Sequence, residues 1–402
     1  MQALQLVEAI SAILEHVRPV TDTEQVPVGQ ASGRVLAEDI AAGHDQPPFP
    51  RSPLDGYAVR SGDLQAASRE HPARLQVIDE IMAGYVSEKK IAPGQAVRLM
   101  TGAPVPEGAD TIVRQEDTDY GMDLVQVFVS QRPWQNYCFQ GEDFKTGDLL
   151  MRKGQALGPA EIGILSSVGK TSAEVFRRPR VLLFTTGDEV LLPGQPLQPG
   201  KIYDSNLHTN RAQLEMWGCQ VRTLGVLSDD APAVAALVRK EAEEADLIVS
   251  SGGVSVGKKD IMHEVIRLLG AEQIFWRVAI KPGMPTLAAD YDGRPMICLS
   301  GNPYGAFVNL HLLVKPALQA MAGRSEDPMP EQLQAVLQNS YLKKSRVTRY
   351  IRAYHRNGQV RIADGSNDSG VISNICGCNC LVAAPAGSAG LLQGETVTIF
   401  PF

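Results

Sequence analysis

Three segments of the chain each join an apolar run to a polar loop rich in glycine. The loops cover residues 185–189 (TTGDE), 250–260 (SSGGVSVGKKD) and 300–303 (SGNP). Glycines let backbone N–H groups approach an anion, and the N-terminus of a following helix adds partial positive charge. Each loop alone could equally be a tight turn into a helix, but three at one sheet edge favour a phosphate-binding site.

Acidic residues accompany the same loops. They are Asp188, Glu189, Asp229, Asp230 and Asp260. Carboxylates beside a phosphate are costly unless a divalent cation bridges them. The pattern therefore predicts magnesium together with a nucleotide or another phosphorylated ligand. The alternative roles are structural, with Asp230 as a helix cap and Asp260 as a partner of a helix dipole.

Two segments supply positive charge. Arg277 and Lys281 are four residues apart, and the following Pro282 favours a strand, on which both side chains share a face. An oxyanion clamp and a solvated strand edge are equally compatible with this pattern. A second stripe alternates along a later strand and predicts a basic, aromatic face toward a phosphate, an RNA or water; its members are Arg346, Tyr350, Arg352, Tyr354 and Arg356.

Composition excludes several classes of protein. A net charge of −7 and a pI of about 5.6 argue against a general nucleic-acid binder. No apolar run reaches the length of a membrane span, and no basic residue precedes Arg18, so a membrane protein and a secretory signal are not predicted. Six cysteines in 402 residues indicate the reducing cytoplasm. Cys376, Cys378 and Cys380 supply one ligand too few for a closed metal site, which favours a packing role.

The order of strand and helix patterns along the sequence predicts the fold that carries these loops. From Arg180 onward, strands and helices alternate, which indicates an α/β domain with a parallel sheet. The first half is dense in glycine and proline and predicts irregular antiparallel sheets, apart from a helix opened by Pro159. The C-terminal segment predicts a small all-β domain with a hairpin at Asn357-Gly358.

The motifs taken together resemble one family. The segments SPLDGYAV, MTGAPVPEGADTIVRQED, GED, TTGDEV, YDSN, SSGGVSVGKKD, AIKPGMP and SGNP occur in the order and spacing of the molybdopterin molybdenumtransferases, which include bacterial MoeA and the E-domain of gephyrin. The resemblance covers nearly the whole chain. It implies insertion of molybdate into adenylylated molybdopterin (molybdopterin-AMP) with Mg²⁺ and release of AMP, by a cytoplasmic homodimer whose active cleft lies between subunits. Molybdoenzymes or an adenylyltransferase are implied as protein partners.

The resemblance also implies a division of the chain. The expected domains are residues 1–49 with 144–176 for dimerisation, an inserted β-rich domain at 50–143, a molybdopterin-binding α/β domain at 177–325 and a β-barrel at 326–402.

Site residues follow from the matching motifs. The acidic and catalytic set is Asp55, Asp143, Glu189, Asp229, Asp260 and Lys281, and the metal ligands are Glu189, Asp229 and Asp260. The set expected to bind substrate and phosphate is Thr186, Gly187, Asp188, Ser251, Gly252, Gly253, Ser255, Arg277, Ser300, Gly301, Asn302, Arg352 and Ser369.

Three positions depart from the pattern of the family. Met284 stands where a second lysine is common, Ser300 replaces a proline, and Gly305 replaces a serine. Loss of a cation and a hydroxyl weakens the expectation of molybdate, because an oxyanion prefers charge-assisted donors. Three alternatives therefore stay open: a paralogue that inserts tungstate, a pterin-binding scaffold without turnover, and an enzyme of the preceding adenylyl transfer.

Overall fold

The computed structural model describes residues 3–255 and 260–402. The described chain divides into two compact units. The second unit comprises Asp39–Arg152 and Gly163–Lys170, and the first comprises the rest of the described chain. Residues 256–259 of the second polar loop lie outside the described residues.

The N-terminal part begins with a helix and continues mainly as short strands. Its elements are α1 Leu6–Leu14, β1 Thr23–Pro27, β2 Ile40–Ala41, β3 Gly56–Val59, β4 Ala73–Ile81, β5 Gln95–Leu99, β6 Thr111–Arg114, β7 Leu124–Val127, β8 Leu149–Met151, α2 Pro159–Ser167 and β9 Ser172–Phe176. In the second unit, five strands form a sheet in the order β6-β3-β5-β4-β7. Its pairs are antiparallel as predicted, except that β4 and β5 run parallel.

Strands and helices then alternate as the sequence predicts. The elements are β10 Arg180–Thr186, β11 Val190–Leu191, β12 Ile202–Tyr203, α3 Asn206–Met216, β13 Gln220–Leu227, α4 Ala231–Glu241, β14 Leu247–Ser251, α5 Met262–Leu269, β15 Glu272–Trp276, β16 Ile280–Lys281, β17 Leu287–Tyr291, β18 Arg294–Leu299, α6 Pro303–Asn309 and α7 Lys315–Met321. The main sheet has the order β13-β10-β14-β18-β17-β15. Its first four strands are parallel, which confirms the α/β prediction. The antiparallel strands β17 and β15 at one edge were not predicted.

Helices cover both faces of this sheet. Val181 and Leu183 of β10 pack into one apolar core, and Leu182 and Phe184 pack into another. Alternate side chains of a strand point to opposite faces, so a strand buried on both sides reads as a continuous apolar run. This explains why the segment VLLF, residues 181–184, is uniformly hydrophobic.

Two helix signals in the sequence have structural counterparts. The carboxylate of Asp230 accepts a hydrogen bond from the Ala233 N–H at 3.1 Å, so the predicted helix cap is confirmed. The second signal is Pro316 inside a long apolar segment, and a π-helical turn, Leu310–Val314, precedes it between α6 and α7. Proline cannot donate to the carbonyl one turn earlier, and the wider turn accommodates that missing bond.

The C-terminal segment forms a closed barrel. Its strands are β19 Leu333–Leu337, β20 Thr348–Arg356, β21 Gln359–Ile362, β22 Cys380–Ala384 and β23 Thr396–Pro401. The order β20-β21-β19-β23-β22 closes because β22 also pairs with β20. The predicted hairpin is confirmed, with Asn357 and Gly358 at φ values of 50° and 74°.

No helix in the described part of the chain combines the length and the apolar character needed to cross a membrane.

Candidate active site

The carboxyl ends of β10, β14 and β18 share one pocket of about 510 Å³. The three polar loops singled out in the sequence follow these strands, and parallel strands deliver such loops to one edge. Expected site residues that line the pocket are Thr186, Gly187, Glu189, Asp229, Gly252, Gly253, Ser255, Asp260, Ser300, Gly301 and Asn302. Asp188, Ser251, Arg277, Lys281, Arg352 and Ser369 do not line it.

Two glycines let the second loop pass close to the end of β10. A β-carbon at Gly252 would lie 2.4 Å from the carbonyl oxygen of Thr186, and one at Gly253 would lie 2.9 Å from the Thr186 hydroxyl. Both glycines have positive φ, 93° and 64°. Any other residue would therefore separate the two loops or strain the backbone. The close approach therefore depends on glycine at both positions.

Several buried polar atoms around this edge lack a hydrogen-bond partner within the described residues. They include the hydroxyls of Thr186 and Ser251 and the Oδ2 atom of Asp204. Buried polar groups in folded proteins are normally paired, so each orphaned atom calls for an explanation. A polar ligand that enters this pocket would supply partners.

The acidic residues have unequal roles. Glu189, Asp229 and Asp260 line the pocket, whereas Asp188 is turned toward Asp229. The Asp188 N–H donates to the Asp229 carboxylate at 3.2 Å, and the Asp229 N–H donates to the Asp188 carboxylate at 3.1 Å. Lys201 donates to the Asp188 carbonyl. These two bonds hold Asp188 and Asp229 against each other, and the ligand contact expected of Asp188 stays a prediction.

Residues at the start of α3 complete the pocket, and the sequence reasoning did not select them. Tyr203, Asp204, Ser205 and Asn206 are lining residues. The Asn206 amide donates to the Gly301 carbonyl at 2.9 Å, and Asp204 accepts from the Leu207 N–H at 2.9 Å. These bonds fix α3 against the loop after β18. The motif YDSN already marked this segment, although no role was drawn from it.

The basic pair is arranged differently from the prediction. Arg277 lies between β15 and β16 with a φ of 78°, so the two residues do not share one strand face. The positive φ breaks the strand and turns the Arg277 guanidinium over the Trp276 ring, 4.0 Å from its centroid. Lys281 instead belongs to β16, which extends the barrel sheet by pairing with β20.

Lys281 is part of a cationic corner beside the barrel. It pairs in register with Arg349, whose Nε atom is buried and has no partner among the described residues. A hydrogen bond from Ser366 lowers the pKa of the Asp368 carboxyl, and the charges of Lys343, Arg349 and Lys281 lower it further. We call these residues the cationic corner: Lys281, Lys343, Arg349 and Asp368.

The cationic corner adjoins the pocket through the loop that follows Asp368. The Tyr304 N–H, in the first turn of α6, donates to the Ser369 carbonyl at 3.0 Å, and Gly370 lines the pocket. Ser369 thus lies next to the lining. Arg349, which the sequence analysis did not select, is the basic residue of the corner with the strongest burial.

The predicted basic, aromatic stripe along β20 is wrong as a surface feature, because Arg352 lies inside the protein. Its side chain is fully buried and Tyr350 is buried as well, so the stripe does not form a surface. The Arg352 guanidinium lies 3.6 Å from the Tyr304 ring centroid and donates to the carbonyls of Val371 at 2.6 Å and Asp368 at 3.2 Å. It also binds the side chain of Asn374. Arg352 therefore positions the Ser369 loop and has no exposed face toward a ligand.

Asp55 and Asp143 belong to the second unit and are not among the residues lining this pocket. Asp55 accepts hydrogen bonds from the hydroxyl and the N–H of Thr101, both at 2.7 Å. These bonds lower the pKa of the Asp55 carboxyl, the hydroxyl contributing most. Asp143 is exposed, and its N–H donates to the Gln46 carbonyl at 2.9 Å.

The cysteine cluster does not make a metal site. Cys376 is exposed, Cys378 is partly exposed, and Cys380 is buried in the barrel, where burial raises its thiol pKa to about 12. Across the part of the chain that the structure describes, no group of three or more His, Cys, Asp or Glu residues is arranged to hold a metal ion.

Two of the departures from the family pattern are coupled in space. A β-carbon at Gly305 would lie 2.9 Å from the Ser300 hydroxyl and 3.1 Å from its β-carbon. The Ser300 hydroxyl thus occupies the space beside position 305 and accepts a hydrogen bond from the Asn302 N–H at 3.3 Å. A side chain at position 305 would therefore compete with Ser300 for the same space.

We expect Gly305→Ser to lower the free energy of unfolding by about 1–3 kcal/mol, because the added atoms overpack against Ser300. Adding Ser300→Ala removes the nearest clashing atom and is expected to recover about half of the loss or more. Urea denaturation of both single variants and the double variant measures the coupling. If the stability changes of the two single variants add without interaction in the double variant, residues 300 and 305 do not compete for the same space.

Comparison with known proteins identifies relatives over the whole chain. The family description "MoeA N-terminal region (domain I and II)" matches residues 4–169, "Probable molybdopterin binding domain" matches 182–320, and "MoeA C-terminal region (domain IV)" matches 334–402. A molybdopterin molybdenumtransferase of Staphylococcus aureus (strain COL) is 38% identical over 380 residues, covering 93% of this chain and 90% of that protein. One from Staphylococcus epidermidis (strain ATCC 12228) is 36% identical over 395 residues, covering 98% and 94%.

Solved structures of related proteins have the same fold as this chain. The molybdopterin biosynthesis moeA protein from Pyrococcus horikoshii OT3 superposes with a TM-score of 0.87 at 30% identity, covering 100% of both chains. A molybdenum cofactor biosynthesis protein from Pyrococcus furiosus shares the fold, with a TM-score of 0.62 at 19% identity over the full length of both chains. Sequence and fold give the same result over the whole length, and the chain therefore belongs to the MoeA family.

Proposed function

We propose that the protein is a molybdopterin molybdenumtransferase of molybdenum cofactor biosynthesis. It would bind adenylylated molybdopterin, insert molybdate into the dithiolene and release AMP. The observation that carries the proposal is the pocket in which the Gly252-Gly253 loop, the start of α6 and three acidic residues meet. The names of relatives at 36–38% identity support it. These names do not favour the tungstate, scaffold or adenylyl-transfer alternatives.

The glycine loops are proposed to bind the phosphates. The backbone N–H groups of Gly253 and Gly301 can approach a ligand closely, because these residues have no side chain. The N–H of Gly252 donates to the Leu299 carbonyl at 3.2 Å, so Gly252 contributes the close approach of the loop and not a donor. The hydroxyl of Thr186, a lining residue, is unpaired within the described residues and could donate to a phosphate oxygen. Donors of this kind hold a phosphoanhydride in one orientation, which is the main contribution a protein makes to such a reaction.

The acidic residues fit a bridging cation. Mg²⁺ usually binds one or two carboxylates, with phosphate oxygens and waters as its other ligands. Glu189, Asp229 and Asp260 line the pocket but do not form a cluster that would hold a metal without such a ligand. We propose that Glu189 with Asp229 or Asp260 holds Mg²⁺ once the nucleotide is bound, and that Asp188 keeps Asp229 oriented. The bound ion would neutralise charge on the leaving phosphate.

The cationic corner is proposed as the molybdate site. Lys281 and Arg349 are paired in register, and Ser369 lies next to the pocket lining. A doubly charged oxyanion prefers charge-assisted donors, and the buried Arg349 guanidinium with its unpaired Nε–H is such a donor. Arg277 is proposed to act on the pterin phosphate. Arg349 supplies the second cation that Met284 does not.

Other expectations from the family stay proposals. They include roles for Asp55 and Asp143 in the reaction, a cytoplasmic homodimer, and delivery of the product to molybdoenzymes or exchange with an adenylyltransferase. The four-domain division at residues 1–49 with 144–176, 50–143, 177–325 and 326–402 is likewise proposed.

The test is incubation of the full chain with molybdopterin-AMP, Mg²⁺ and molybdate, with AMP release and cofactor formation followed together. We expect the wild type to release AMP and form cofactor. Glu189→Gln and Asp229→Asn are each expected to raise the Mg²⁺ concentration for half-maximal activity by about 10–100-fold, because a lost ligand weakens metal binding.

Asp230→Asn is the matched control, since it changes the neighbouring carboxylate, whose known contact is the cap of α4. It should leave the Mg²⁺ requirement unchanged. AMP release by Glu189→Gln at the wild-type Mg²⁺ concentration would count against the metal assignment. Absence of both products from the wild type would overturn the function itself.

A further inference from the structure

A second cavity in the first unit has five basic and one acidic residue in its lining and shares no lining residue with the pocket of the candidate active site. It has a volume of about 300 Å³ and lies between the segments 32–35 and 176–179, the end of α3 and the helix α7. We call it the Lys315 cavity. Its basic side chains are Arg34, Arg177, Arg178, Lys315 and Arg324.

Some of these charges are already neutralised. Arg34 pairs with Glu24, and Arg177 pairs with Asp22 at 2.9 Å and Asp246 at 2.6 Å. The acidic lining residue, Glu215, is engaged by Arg211 at 2.8 Å outside the cavity.

The remaining cations lack a close counter-charge. Within the described residues, Lys315 and Arg178 have no carboxylate within 4.0 Å, and the nearest to Arg324 is Glu326 at 3.9 Å. Lys315 is half-buried, and burial lowers the pKa of its ammonium group; the charge of Glu331, which is not within 4.0 Å, opposes this shift, and the charge of Arg324 adds to it. A desolvated cation without a partner is unfavourable, so an anion at this position would be stabilising.

One wall of the cavity is apolar. Trp217, Met216 and Leu318 line it, and the Lys315 ammonium lies 5.7 Å from the centroid of the Trp217 ring. Ligand sites typically combine such a wall with a few polar groups that fix orientation. A flat ligand body could pack on Trp217 while its anionic group meets the cations.

We propose that the Lys315 cavity is a second binding site, for an aromatic phosphate monoester. Lys315 and Arg178 hold the phosphate, since an ammonium and a planar guanidinium are both strong phosphate donors. Trp217 contacts the aromatic body. The site acts independently of the proposed transferase activity.

The test uses the full chain labelled with 5-fluorotryptophan and titrated with phenyl phosphate. The chain has three tryptophans, so ¹⁹F resonances separate the sites. Trp217 reports on the Lys315 cavity, and Trp276, which donates to the Val254 carbonyl at 3.1 Å, reports on the candidate active site. We expect phenyl phosphate to shift the Trp217 resonance, and inorganic phosphate to do so only at several-fold higher concentration.

Lys315→Met keeps the length of the side chain and removes its charge. It is expected to weaken the Trp217 response by about tenfold, the scale of one charge-assisted hydrogen bond. Lys240→Met is the matched control, because Lys240 is exposed and distant in sequence from the cavity, and it should titrate as the wild type does. If Lys315→Met does not fold, Arg178→Met is subject to the same criterion. A Trp217 resonance that phenyl phosphate leaves unmoved, or shifts equally in wild type and variant, overturns the proposal.

Discussion

Gly252→Ala is expected to remove binding of molybdopterin-AMP and to destabilise the α/β domain. The new β-carbon would meet the Thr186 carbonyl oxygen at 2.4 Å, and the residue has a φ of 93°. The backbone strain alone costs about 1–3 kcal/mol. Relief of the clash must move the loop away from β10, which carries the Gly253 amide, proposed to bind phosphate, out of position. Urea denaturation and equilibrium binding of molybdopterin-AMP measure the two effects.

Gly194→Ala separates strain from contact. Gly194 has nearly the same φ, 94°, but a β-carbon there would meet nothing within 4 Å. We expect this control to lose stability through strain alone and to bind the substrate as the wild type does. Equal loss of stability in the two variants, with binding retained in both, would show that the close approach of the loops is not required.

The sequence predicted the three polar loops of the site correctly, because the parallel sheet determines where they lie. A segment such as DLIVSSGG predicts both a buried strand and the loop at its carboxyl end. Parallel strands bring such loops to one edge of the sheet. Three loops far apart in the chain therefore reach one pocket. The same logic found the hairpin at Asn357-Gly358, since that pair suits a tight turn.

The misjudged residues depend on contacts that spacing does not encode. Even spacing suggested that Arg277 and Lys281 share a strand face, but the left-handed backbone at Arg277 separates them. Alternation suggested a surface stripe through Arg352, yet that face of β20 turns toward Tyr304 of the α/β domain. A strand that closes a barrel and also packs on a neighbouring domain is buried on both sides, so alternation no longer identifies its exposed face.

Position 305 shows what single motifs cannot reveal. In the sequence, Ser300 and Gly305 read as two separate losses from an oxyanion pocket. In the fold, Ser300 lies beside Gly305 of α6, so that a side chain at position 305 would meet the Ser300 hydroxyl. Asp204 and Asn206 were missed for a related reason, because their role depends on the hydrogen bond from Asn206 to Gly301, about a hundred residues away.

Arg352→Met is expected to have the other large effect. The guanidinium is fully buried and satisfies the Asp368 and Val371 carbonyls and the Asn374 side chain. Hydrogen bonds to a charged group contribute about 1.5–3 kcal/mol each, and unpaired buried acceptors are costly. We expect the free energy of unfolding to fall by at least about 3 kcal/mol. Urea denaturation measures this loss.

Arg352→Lys distinguishes geometry from charge. Lysine keeps the positive charge but presents a compact ammonium group in place of a planar fork, so it cannot reach all three acceptors at once. We expect intermediate stability. We also expect a raised KM for molybdate, because the Ser369 loop next to the pocket loses part of its support. A purely structural role distant from the site would lower stability without changing that KM.

Arg361→Met is the matched control on the same barrel. Arg361 lies on the neighbouring strand β21, is exposed, and pairs with Asp364 at 3.2 Å near the surface. Exposed pairs of this kind contribute about 0–1 kcal/mol. If Arg361→Met and Arg352→Met were equally stable and had the same KM for molybdate, the Arg352 network would not be what holds the Ser369 loop against α6. A difference confined to Arg352 would instead identify this buried guanidinium as the link between the barrel and the oxyanion site.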